Sequence, residues 1–299
     1  MCADKRVLIT GITGFTGRYV AAELTSAGFE VHGLGQHSSN LPRYSCVNLN
    51  DRELLHSIIA EINPKIVVHL AGLAFAGADN AEAFYLINTI GTLNLLEGIM
   101  HEAPQVQCIL LASSASVYGN STEGILTEMA LPNPANDYAV SKLAMEHMAR
   151  LWFDRLPIII TRPFNYTGIG QAEHFLLPKI IGHFQRGAQS IELGNLDVFR
   201  DFSDVRAVAN AYRRLIEACP IGETINVCSG NKYSLREAVE MVAKIMNYDI
   251  EIRVNPAFVR ANEVRSLQGS VQHLRRIIGE WESPPLFETL KWMCHSSLS

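Results

Sequence analysis

A tyrosine and a lysine spaced four residues apart are the most chemically distinctive pair in the sequence. Tyr138 and Lys142 open a predicted helix, so both side chains lie on one helix face. A phenol has an ordinary pKa of about 10 and transfers protons poorly at neutral pH, but a nearby ammonium lowers that pKa by favouring the phenolate. Ser114 follows a predicted strand and can donate a hydrogen bond to a carbonyl or alkoxide oxygen. Ser114, Tyr138 and Lys142 are therefore the predicted catalytic residues, and their predicted chemistry is proton transfer at such an oxygen.

A glycine-rich turn follows the first predicted strand. Gly11, Gly14 and Gly17 have the spacing G-x-x-G-x-x-G and lead directly into a predicted helix. The first glycine permits a tight turn, the second lets the backbone approach a pyrophosphate, and the third allows close helix packing, while the helix amino terminus offers unpaired N–H groups. The turn therefore predicts a dinucleotide site, and Lys142 is placed to hold the nicotinamide ribose.

The residues after the second predicted strand bear on the choice between NAD and NADP. An acidic residue there would accept hydrogen bonds from the adenosine ribose and repel a 2′-phosphate. Residues 33–39 contain no acid, and Gln36, His37, Ser38 or Ser39 can donate to a phosphate, although no arginine is present to clamp it. NADPH is therefore the predicted cofactor, with NADH possible; the alternative is that this loop is ordinary polar surface.

Short apolar runs alternate with helical segments in the first half of the chain. The predicted strands are residues 6–10, 30–34, 66–70, 108–112 and 157–161, and the predicted helices between them are residues 19–24, 54–61, 83–101 and 139–153. Such alternation is typical of a parallel sheet wrapped by helices. The predicted fold class is α/β, with a Rossmann-like doubly wound parallel sheet and a smaller α+β carboxyl-terminal substrate lobe.

The alternation becomes less regular after residue 162. Helices are predicted at 175–186, 205–217, 235–246 and from 286, and a strand at 224–228. This change predicts a dinucleotide-binding domain over 1–162, to which 204–230 returns, and a substrate lobe over 163–299.

Composition excludes several classes of protein. The 299 residues carry 25 Lys and Arg against 30 Asp and Glu, a net charge of -5, which does not suit a nucleic-acid surface. Apolar runs are far shorter than the roughly 20 residues that span a bilayer, and the amino end lacks a signal-peptide core, so we expect a cytoplasmic protein. The six cysteines show no Cys-x-x-Cys and no histidine at ligand spacing, which predicts reduced thiols and no metal site.

Nearly the whole chain resembles the extended short-chain dehydrogenase/reductase family of nucleotide-sugar enzymes. The motifs that carry the resemblance are Gly11-x-x-Gly14-x-x-Gly17, His69-Leu70-Ala71-Gly72, Asn88-x-x-Gly91-Thr92-x-Asn94, Ser114 with Tyr118-Gly119, Tyr138-x-x-x-Lys142, Arg162-Pro163-Phe164-Asn165-Tyr166-Thr167-Gly168, residues 194–202, residues 226–230 and residues 260–264. The chain departs from the family pattern at Asn48, where an Asp is usual beside the adenine, and in the missing acid after the second strand.

The resemblance also implies a set of binding residues. The implied cofactor-binding residues are Gly11, Thr13, Gly14, Phe15, Thr16, Gly17, Gln36, His37, Ser38, Asn48, Leu49, Leu70, Ala71, Gly72, Asn88, Tyr138, Lys142, Pro163 and Phe164. The implied substrate-binding residues are Ser114, Ser116, Tyr138, Asn165, Lys179, Arg200, Arg260 and Glu263. In the family pattern Asn165 lies near the sugar and diphosphate, Arg200 and Arg260 bind the diphosphate, Glu263 binds the nucleoside ribose, and Lys179 faces the base. The alternative for Arg200 is a surface ion pair with Asp201 or Asp204. For Arg260 and Glu263 the alternative is an exposed pair, and for Lys179 a solvated surface lysine.

The positions after the serine discriminate among the reactions of this family. Dehydratases carry an acid pair there, whereas this chain has Ala115 and Ser116, neither of which can remove a proton as that base does. Epimerase-reductases of the fucose type need a Cys and a His, and the matching positions are Ser116 and Phe175. A keto-sugar reductase and a C4 epimerase remain.

The resemblance favours the reductase. It implies hydride transfer to C4 of a nucleotide-linked 4-keto-6-deoxyhexose, with GDP-4-keto-6-deoxy-D-mannose as the expected substrate and GDP-D-rhamnose as the product, while Tyr138 protonates the alkoxide and Ser114 stabilises it. A C4 epimerase with tightly bound NAD is the alternative, and a non-catalytic NADP(H)-binding sensor is a remoter one. The family often forms homodimers through a four-helix bundle, and the apolar positions of 86–100 and 138–153 fit either that bundle or burial against the sheet.

Overall fold

The computed structural model describes residues 5–74, 80–119, 124–258 and 264–296. The strands are β1 (Arg6–Thr10), β2 (Glu30–Gly35), β3 (Tyr44–Cys46), β4 (Ile66–His69), β5 (Cys108–Ala112), β6 (Ile125–Leu126), β7 (Ile158–Pro163), β8 (Asn165–Thr167), β9 (Ser190–Leu193), β10 (Phe199–Asp204), β11 (Thr224–Val227), β12 (Lys232–Ser234), β13 (Glu251–Val254) and β14 (Ser266–Gly269). The α-helices are α1 (Phe15–Ser26), α2 (Arg52–Ile62), α3 (Ala81–Tyr85), α4 (Gly91–Glu102), α5 (Asp137–Arg150), α6 (Leu176–Gln185), α7 (Val205–Ala218), α8 (Leu235–Met246), α9 (Gln272–Ile278) and α10 (Leu286–His295).

A parallel sheet of seven strands forms the larger layer, in the order β3-β2-β1-β4-β5-β7-β11. The chain order reverses between β1 and β4, which makes this pair the switch point where parallel sheets bind ligands at the carboxyl ends of their strands. The predicted Rossmann-like fold class is confirmed. The strand β11 pairs with β7, so a segment beyond residue 163 belongs to this sheet.

The two faces of the sheet are buried by different helices. In β1, Val7 and Ile9 join a core formed with α1, α7 and α9, whereas Leu8 joins a core formed with α2, α4 and α5. Successive side chains of a strand point to opposite faces, so this strand supplies both cores at once. Burial on both faces explains why the central strands are continuous apolar runs.

A smaller lobe contains the remaining sheet strands. It has a five-stranded sheet in which β12, β10, β14 and β6 follow one another and β8 also pairs with β10, together with the pair β13 and β9. The helices α6, α8 and α10 supply its own apolar core. The chain crosses between the two sheets more than once, since β6 lies before β7 in the sequence and β11 of the central sheet lies after β10.

The helix predicted over 83–101 differs in structure from the prediction. The helical run extends from Ala81 to Glu102, but residues Leu86–Ile90 form a π-helical turn between α3 and α4. The hydroxyl of Thr92 donates to the carbonyl oxygen of Asn88 at 2.8 Å. A single π-turn of this kind inserts one residue into a helix and is frequent at functional sites.

Two other helices differ from the prediction at their ends. The first helix begins at Phe15, directly after Gly14, rather than at residue 19. The helix predicted over 139–153 is α5, whose amino end is capped by the Asn136 side chain accepting from the Ala139 N–H at 2.9 Å, and which ends at Arg150 in a turn. Within the four described ranges, no helix combines the length and apolar character needed to cross a membrane.

Candidate active site

The glycine-rich turn lies at the switch point of the sheet. Gly11 has a φ of +72°, and a Cβ there would lie 2.8 Å from the Ala71 nitrogen, so only glycine fits. A Cβ on Gly17 would lie 2.2 Å from the Gly11 oxygen, which shows how closely α1 packs on the turn. Gly14 is the N-cap of α1 and provides no capping side chain, so amide groups of the first turn remain to bind an anion.

The predicted catalytic residues meet beyond the carboxyl end of β5. A hydrogen bond joins the hydroxyl groups of Ser114 and Tyr138. The ammonium of Lys142 donates to the carbonyl oxygen of Ala112, the last residue of β5, at 2.8 Å. The Ser116 N–H donates to the Ser114 hydroxyl oxygen at 3.1 Å and fixes the turn that follows. The first turns of α5 and the end of β5 thus bring the serine, tyrosine and lysine together.

Burial controls the acidity of the tyrosine and lysine. It raises the pKa of Tyr138 to about 12, against a smaller lowering by the hydrogen bond from Ser114. It lowers the pKa of Lys142 to about 8, against an opposing effect of Glu146. The predicted lowering of the Tyr138 pKa by Lys142 does not outweigh burial in this arrangement, in which the ammonium donates to Ala112. A phenol of such high pKa stays protonated at neutral pH, which suits a proton donor.

The side chain of Asn88 connects the chain after β4 with α5. Its carbonyl oxygen accepts from the Leu73 N–H at 2.8 Å, and its amide donates to the Ser141 hydroxyl at 3.0 Å. A Cβ on Gly72 would lie 3.1 Å from both the Asn88 oxygen and the Lys142 ammonium. The predicted cofactor residues Gly72, Asn88 and Lys142 therefore lie against one another, and Leu70 and Ala71 directly precede them.

A chain of hydrogen bonds spans the switch point beneath this surface. The Thr10 hydroxyl bonds the Nδ1 of His69 at 2.7 Å, and the Nε2 bonds the Thr92 hydroxyl at 2.9 Å. Since Thr92 donates to Asn88 and Thr10 accepts from the Ala71 N–H, the consistent assignment puts the ring proton on Nε2. Burial, aided by the charge of Lys142, lowers the pKa of His69 to about 3, so the ring is neutral.

A buried ion pair, for which the sequence predicted no role, lies behind the serine. The guanidinium of Arg162 donates to both carboxylate oxygens of Glu146, at 2.9 and 2.6 Å. The Ser113 hydroxyl donates to the same carboxylate at 2.6 Å. Arg162 also donates to the Tyr118 hydroxyl at 3.0 Å, which in turn donates to Asn226 at 2.7 Å. These bonds hold the pKa of the Glu146 carboxyl below its ordinary value although burial opposes them.

Tyr166 is a further residue of the site for which the sequence predicted no role. Its hydroxyl is hydrogen-bonded to that of Thr16 at 2.7 Å, and its ring stacks on Phe15 with the centroids 6.1 Å apart. The ring of Tyr138 packs against Phe84 with a centroid separation of 5.9 Å. Tyr166 therefore connects β8 with the first turn of α1.

Asn165 and Arg200 lie on paired strands of the smaller lobe. Asn165 is opposite Phe202, two residues beyond Arg200, so the two predicted substrate residues are close in register. The Asn165 amide nitrogen is buried and has no hydrogen-bond partner among the described residues, as expected for a donor that awaits a ligand. Arg200 donates to the carbonyl oxygen of Phe199 at 2.8 Å.

The other charged residues of the predicted substrate set are Lys179, Arg260 and Glu263. Asp201 and Asp204, the alternative partners of Arg200, accept hydrogen bonds from Ser229 and Arg206 respectively. Lys179 donates to the Glu192 carbonyl oxygen at 2.8 Å and lies over the Phe258 ring, on the exposed side of α6. Arg260 and Glu263 fall outside the described residues.

Of the remaining predicted cofactor residues, five are exposed and three are partly or fully buried. The exposed ones are Thr13, Gln36, His37, Ser38 and Asn48. The hydroxyl of Tyr44 donates to the His37 carbonyl oxygen and fixes the loop after β2. Leu49 packs beside Gly91, and Pro163 is buried in β7. The Phe164 side chain belongs to the core beside Tyr118, so the structure does not bring it to the site.

Two of the missed residues left a signal in the sequence. Glu146 follows Lys142 by four residues, which places both on one face of α5. Arg162 is a charge at the end of an otherwise apolar strand, and a buried charge requires a partner. For Tyr118, Tyr166 and Asn226 the sequence offered no comparable signal, because their partners are far away in the chain.

Comparison with known proteins identifies relatives along almost the whole chain. The sequence model of the family described as GDP-mannose 4,6 dehydratase matches residues 8–291. GDP-6-deoxy-D-talose 4-dehydrogenase of Aggregatibacter actinomycetemcomitans is 34% identical, over 92% of this chain and 91% of that protein. GDP-6-deoxy-D-mannose reductase of Pseudomonas aeruginosa is also 34% identical, over 93% of this chain and 98% of that protein.

Solved structures of similar fold also cover almost the whole chain. The crystal structure of a putative epimerase from Burkholderia cenocepacia J2315 is 50% identical and superposes with a TM-score of 0.91, over 97% of both chains. The structure of RMD from Pseudomonas aeruginosa complexed with NADPH is 31% identical, with a TM-score of 0.84 over 97% of both chains.

Proposed function

The chain belongs to the GDP-mannose 4,6-dehydratase family, and on that premise we propose that it reduces the C4 ketone of a GDP-linked 4-keto-6-deoxyhexose with a nicotinamide cofactor. Membership of this family of nucleotide-sugar enzymes confirms the resemblance read from the motifs. The observation that carries the proposal is the cluster of Ser114, Tyr138 and Lys142 at the end of β5, next to the switch point with its glycine-rich turn.

The turn fits a dinucleotide. The positive φ of Gly11, the close packing of Gly17 against the turn and the uncapped start of α1 form an anion cradle in backbone atoms. When bound, the nicotinamide supplies a hydride to the carbonyl carbon. Lys142 holds the nicotinamide ribose, and Asn88 and Gly72 define the wall beside it.

The chain's own residues perform the proton chemistry of the proposed reaction. The protonated phenol of Tyr138 donates its proton to the oxygen of the reduced carbonyl, and the Ser114 hydroxyl donates a hydrogen bond to that oxygen as negative charge develops on it. Asn165 offers its unpartnered amide to the sugar or diphosphate, and Arg200 binds the diphosphate through charge-assisted hydrogen bonds.

Dehydration, the reaction for which the family is named, does not suit this site. It requires a base at the two positions after the serine to remove a proton from the sugar. Here Ala115 is buried and apolar, and Ser116 carries a hydroxyl. Reduction without dehydration needs only the residues that the site contains.

The names of two relatives support a GDP-linked 6-deoxyhexose as the substrate class. GDP-6-deoxy-D-mannose reductase and GDP-6-deoxy-D-talose 4-dehydrogenase name sugars that differ in configuration at C4, so hydride delivery to one face or the other separates them. We propose GDP-4-keto-6-deoxy-D-mannose as the substrate and GDP-D-rhamnose as the product. The exposed, acid-free loop of Gln36, His37 and Ser38 supports NADPH as the preferred cofactor.

The experiment is an NADPH-oxidation panel with GDP-, dTDP- and UDP-linked 4-keto-6-deoxy sugars, followed by NMR of the product at C4. We expect one NADPH consumed per GDP-sugar reduced, a ratio of NADPH to NADH activity above one, and the rhamnose configuration. Absence of NADPH oxidation with every sugar would refute the reductase.

A C4 epimerase is the second candidate, favoured by the 50% identity to a putative epimerase. An epimerase oxidises and then reduces the same carbon with one tightly held cofactor. Purified protein would therefore retain stoichiometric NAD and interconvert two nucleotide sugars without net oxidation of added NADPH. The same assay panel separates the two reactions.

A further inference from the structure

The carboxylate of Glu146 is completely buried within one turn of Lys142, and the mechanism above does not use it. It accepts hydrogen bonds from Ser113 and Arg162, and Arg150 approaches it from the surface at 3.2 Å. Burying a carboxylate and a guanidinium costs several kcal/mol in desolvation, so such a pair is weak evidence for a purely stabilising role.

We propose that Glu146 is a positioning residue of the catalytic site, whose buried negative charge keeps Lys142 an ammonium and whose hydrogen bonds fix the chain on both sides of Ser114. The proposal rests on the proposed function, since it assigns Glu146 a role in that same reaction. Neither part of it requires Glu146 to touch the substrate or the cofactor.

The hydrogen bonds restrain the chain on both sides of the serine. Ser113, the residue before Ser114, donates directly to the Glu146 carboxylate at 2.6 Å. Tyr118, at the end of the 3₁₀ turn that begins just after Ser114, is bound to Arg162 at 3.0 Å. The ion pair therefore fixes both flanks of the serine against α5, the helix that carries Tyr138.

The electrostatic part follows from the groups that face Lys142. Tyr138 lies one turn before it on α5, and His69 from β4 is neutral. The polar side chain of Asn88 faces it from the π-helical turn. Glu146, one turn further along α5, is the negative group that raises the pKa of Lys142 while burial lowers it. Without that charge, the ammonium would lose its proton at a lower pH.

The test is the pH profile of the Glu146→Gln variant. Glutamine keeps the shape and an acceptor oxygen for Ser113 but removes the charge. Removing a negative charge lowers the pKa of Lys142, so the decline of kcat at alkaline pH, which begins near the lysine pKa of about 8, moves to lower pH by about one unit. The KM for the nucleotide sugar stays within about twofold, because Glu146 does not contact it.

Two variants separate charge from structure. Glu146→Asp restores the charge with a shorter side chain. It should return the alkaline limb of the pH profile, the range over which kcat declines, toward that of the wild type. Glu217→Gln removes a carboxylate that makes an exposed ion pair with Arg213 on α7, and should leave the profile unchanged. A purely structural role would lower activity or melting temperature in Glu146→Gln without moving the limb, which would overturn the proposal.

A further variant covers the case in which Glu146→Gln does not fold, since it leaves Arg162 charged and buried without its carboxylate. The double variant Glu146→Gln with Arg162→Met removes both charges of the pair; loss of the Arg162 cation opposes loss of Glu146, so its alkaline limb should lie between those of Glu146→Gln and the wild type. NADPH binding, measured by quenching of tryptophan fluorescence across the same pH range, is a readout that requires no sugar. Wild-type protein without NADPH binding or turnover refutes the proposed function, whereas a normal wild type with an unshifted variant refutes only the role of Glu146.

Discussion

Tyr138 combines two properties that define its task at the level of single residues. Its hydroxyl is hydrogen-bonded to Ser114, which places it where the carbonyl oxygen must bind, and burial raises its pKa to about 12. Burial favours a phenol that keeps its proton until negative charge develops on a bound oxygen, and it outweighs the opposing effect of the Ser114 hydrogen bond. Under the proposed function, the lysine acts through its charge and through a contact with the cofactor rather than through ionisation of the phenol beforehand.

Replacing Tyr138 with phenylalanine tests this assignment most directly. The variant keeps the ring and its packing on Phe84 but removes the proton, so we expect turnover to fall by about 10²- to 10⁴-fold. The dissociation constant for NADPH should change by less than about threefold. Tyr248→Phe, which removes a hydroxyl bound to the Phe184 carbonyl oxygen in the smaller lobe, is the matched control. Full activity in Tyr138→Phe would exclude it as the proton donor.

Arg200→Ala tests the proposed diphosphate contact. Loss of charge-assisted hydrogen bonds should raise the KM for the nucleotide sugar by about tenfold or more and leave kcat within about threefold. The control is Arg236→Ala, an exposed arginine of α8 that approaches Asp197 at 3.8 Å and should leave KM unchanged. An unchanged KM in Arg200→Ala would remove this residue from the diphosphate site.

At the level of elements, the π-helical turn Leu86–Ile90 brings Asn88, on the helical run between β4 and β5, to the candidate active site. Asn88 is buried there and binds both the chain after β4 and Ser141 of α5. Its carbonyl oxygen ends a chain of hydrogen bonds that begins at Thr10 in β1. The turn, β1, β4 and α5 are thus connected through polar groups at the point where the cofactor is proposed to bind.

The neutral His69 in this chain of hydrogen bonds predicts that the stability of the protein depends on pH. Its pKa is about 3 in the folded protein and about 6.5 in an unfolded chain, so the unfolded state binds the extra proton between these values. Stability is therefore highest above pH 6.5 and is lost as pH falls toward 3, by about 1.4 kcal/mol per pH unit for this one proton.

On acidification, the free energy of unfolding of His69→Gln should fall less steeply than that of the wild type, by about 1.4 kcal/mol per pH unit. Denaturant unfolding at several pH values between 4 and 7 measures it, and His273→Gln, a histidine paired with Glu223 near the surface, is the control. Parallel pH curves for the wild type and His69→Gln would contradict a neutral, buried His69.

The sequence predicted some elements well because their signals are local. The strands of the central sheet are apolar on both faces, and the glycine spacing marks the turn where only backbone fits. The π-turn was missed because one inserted residue hardly changes a helical apolar pattern over 83–101. The Glu146–Arg162 pair was missed because its partners lie on α5 and β7, and only the assembled sheet brings them together.

For the whole molecule, the apolar surface beside the active site argues for a homodimer. Leu86, Ile90 and Val140 are each more than a third exposed. The hydroxyl of Thr89 donates to the Ser141 carbonyl oxygen at 3.1 Å, which holds the π-helical turn alongside α5. These side chains therefore occupy adjacent elements, and a second copy that covered them would bury apolar surface next to the helix that carries the tyrosine and lysine.

We expect Ile90→Glu to prevent two copies from pairing through this surface. A carboxylate at a self-complementary interface is placed near its symmetry mate or in apolar surroundings, and both are unfavourable. Light scattering should give about 66 kDa for the wild type, twice the chain mass of 33.1 kDa, and about 33 kDa for the variant. Ile221→Glu changes an isoleucine of similar exposure in the loop before β11 and should remain dimeric. A wild type of single-chain mass, or a dimeric Ile90→Glu protein with unchanged dissociation on dilution, would show that this surface does not pair two copies.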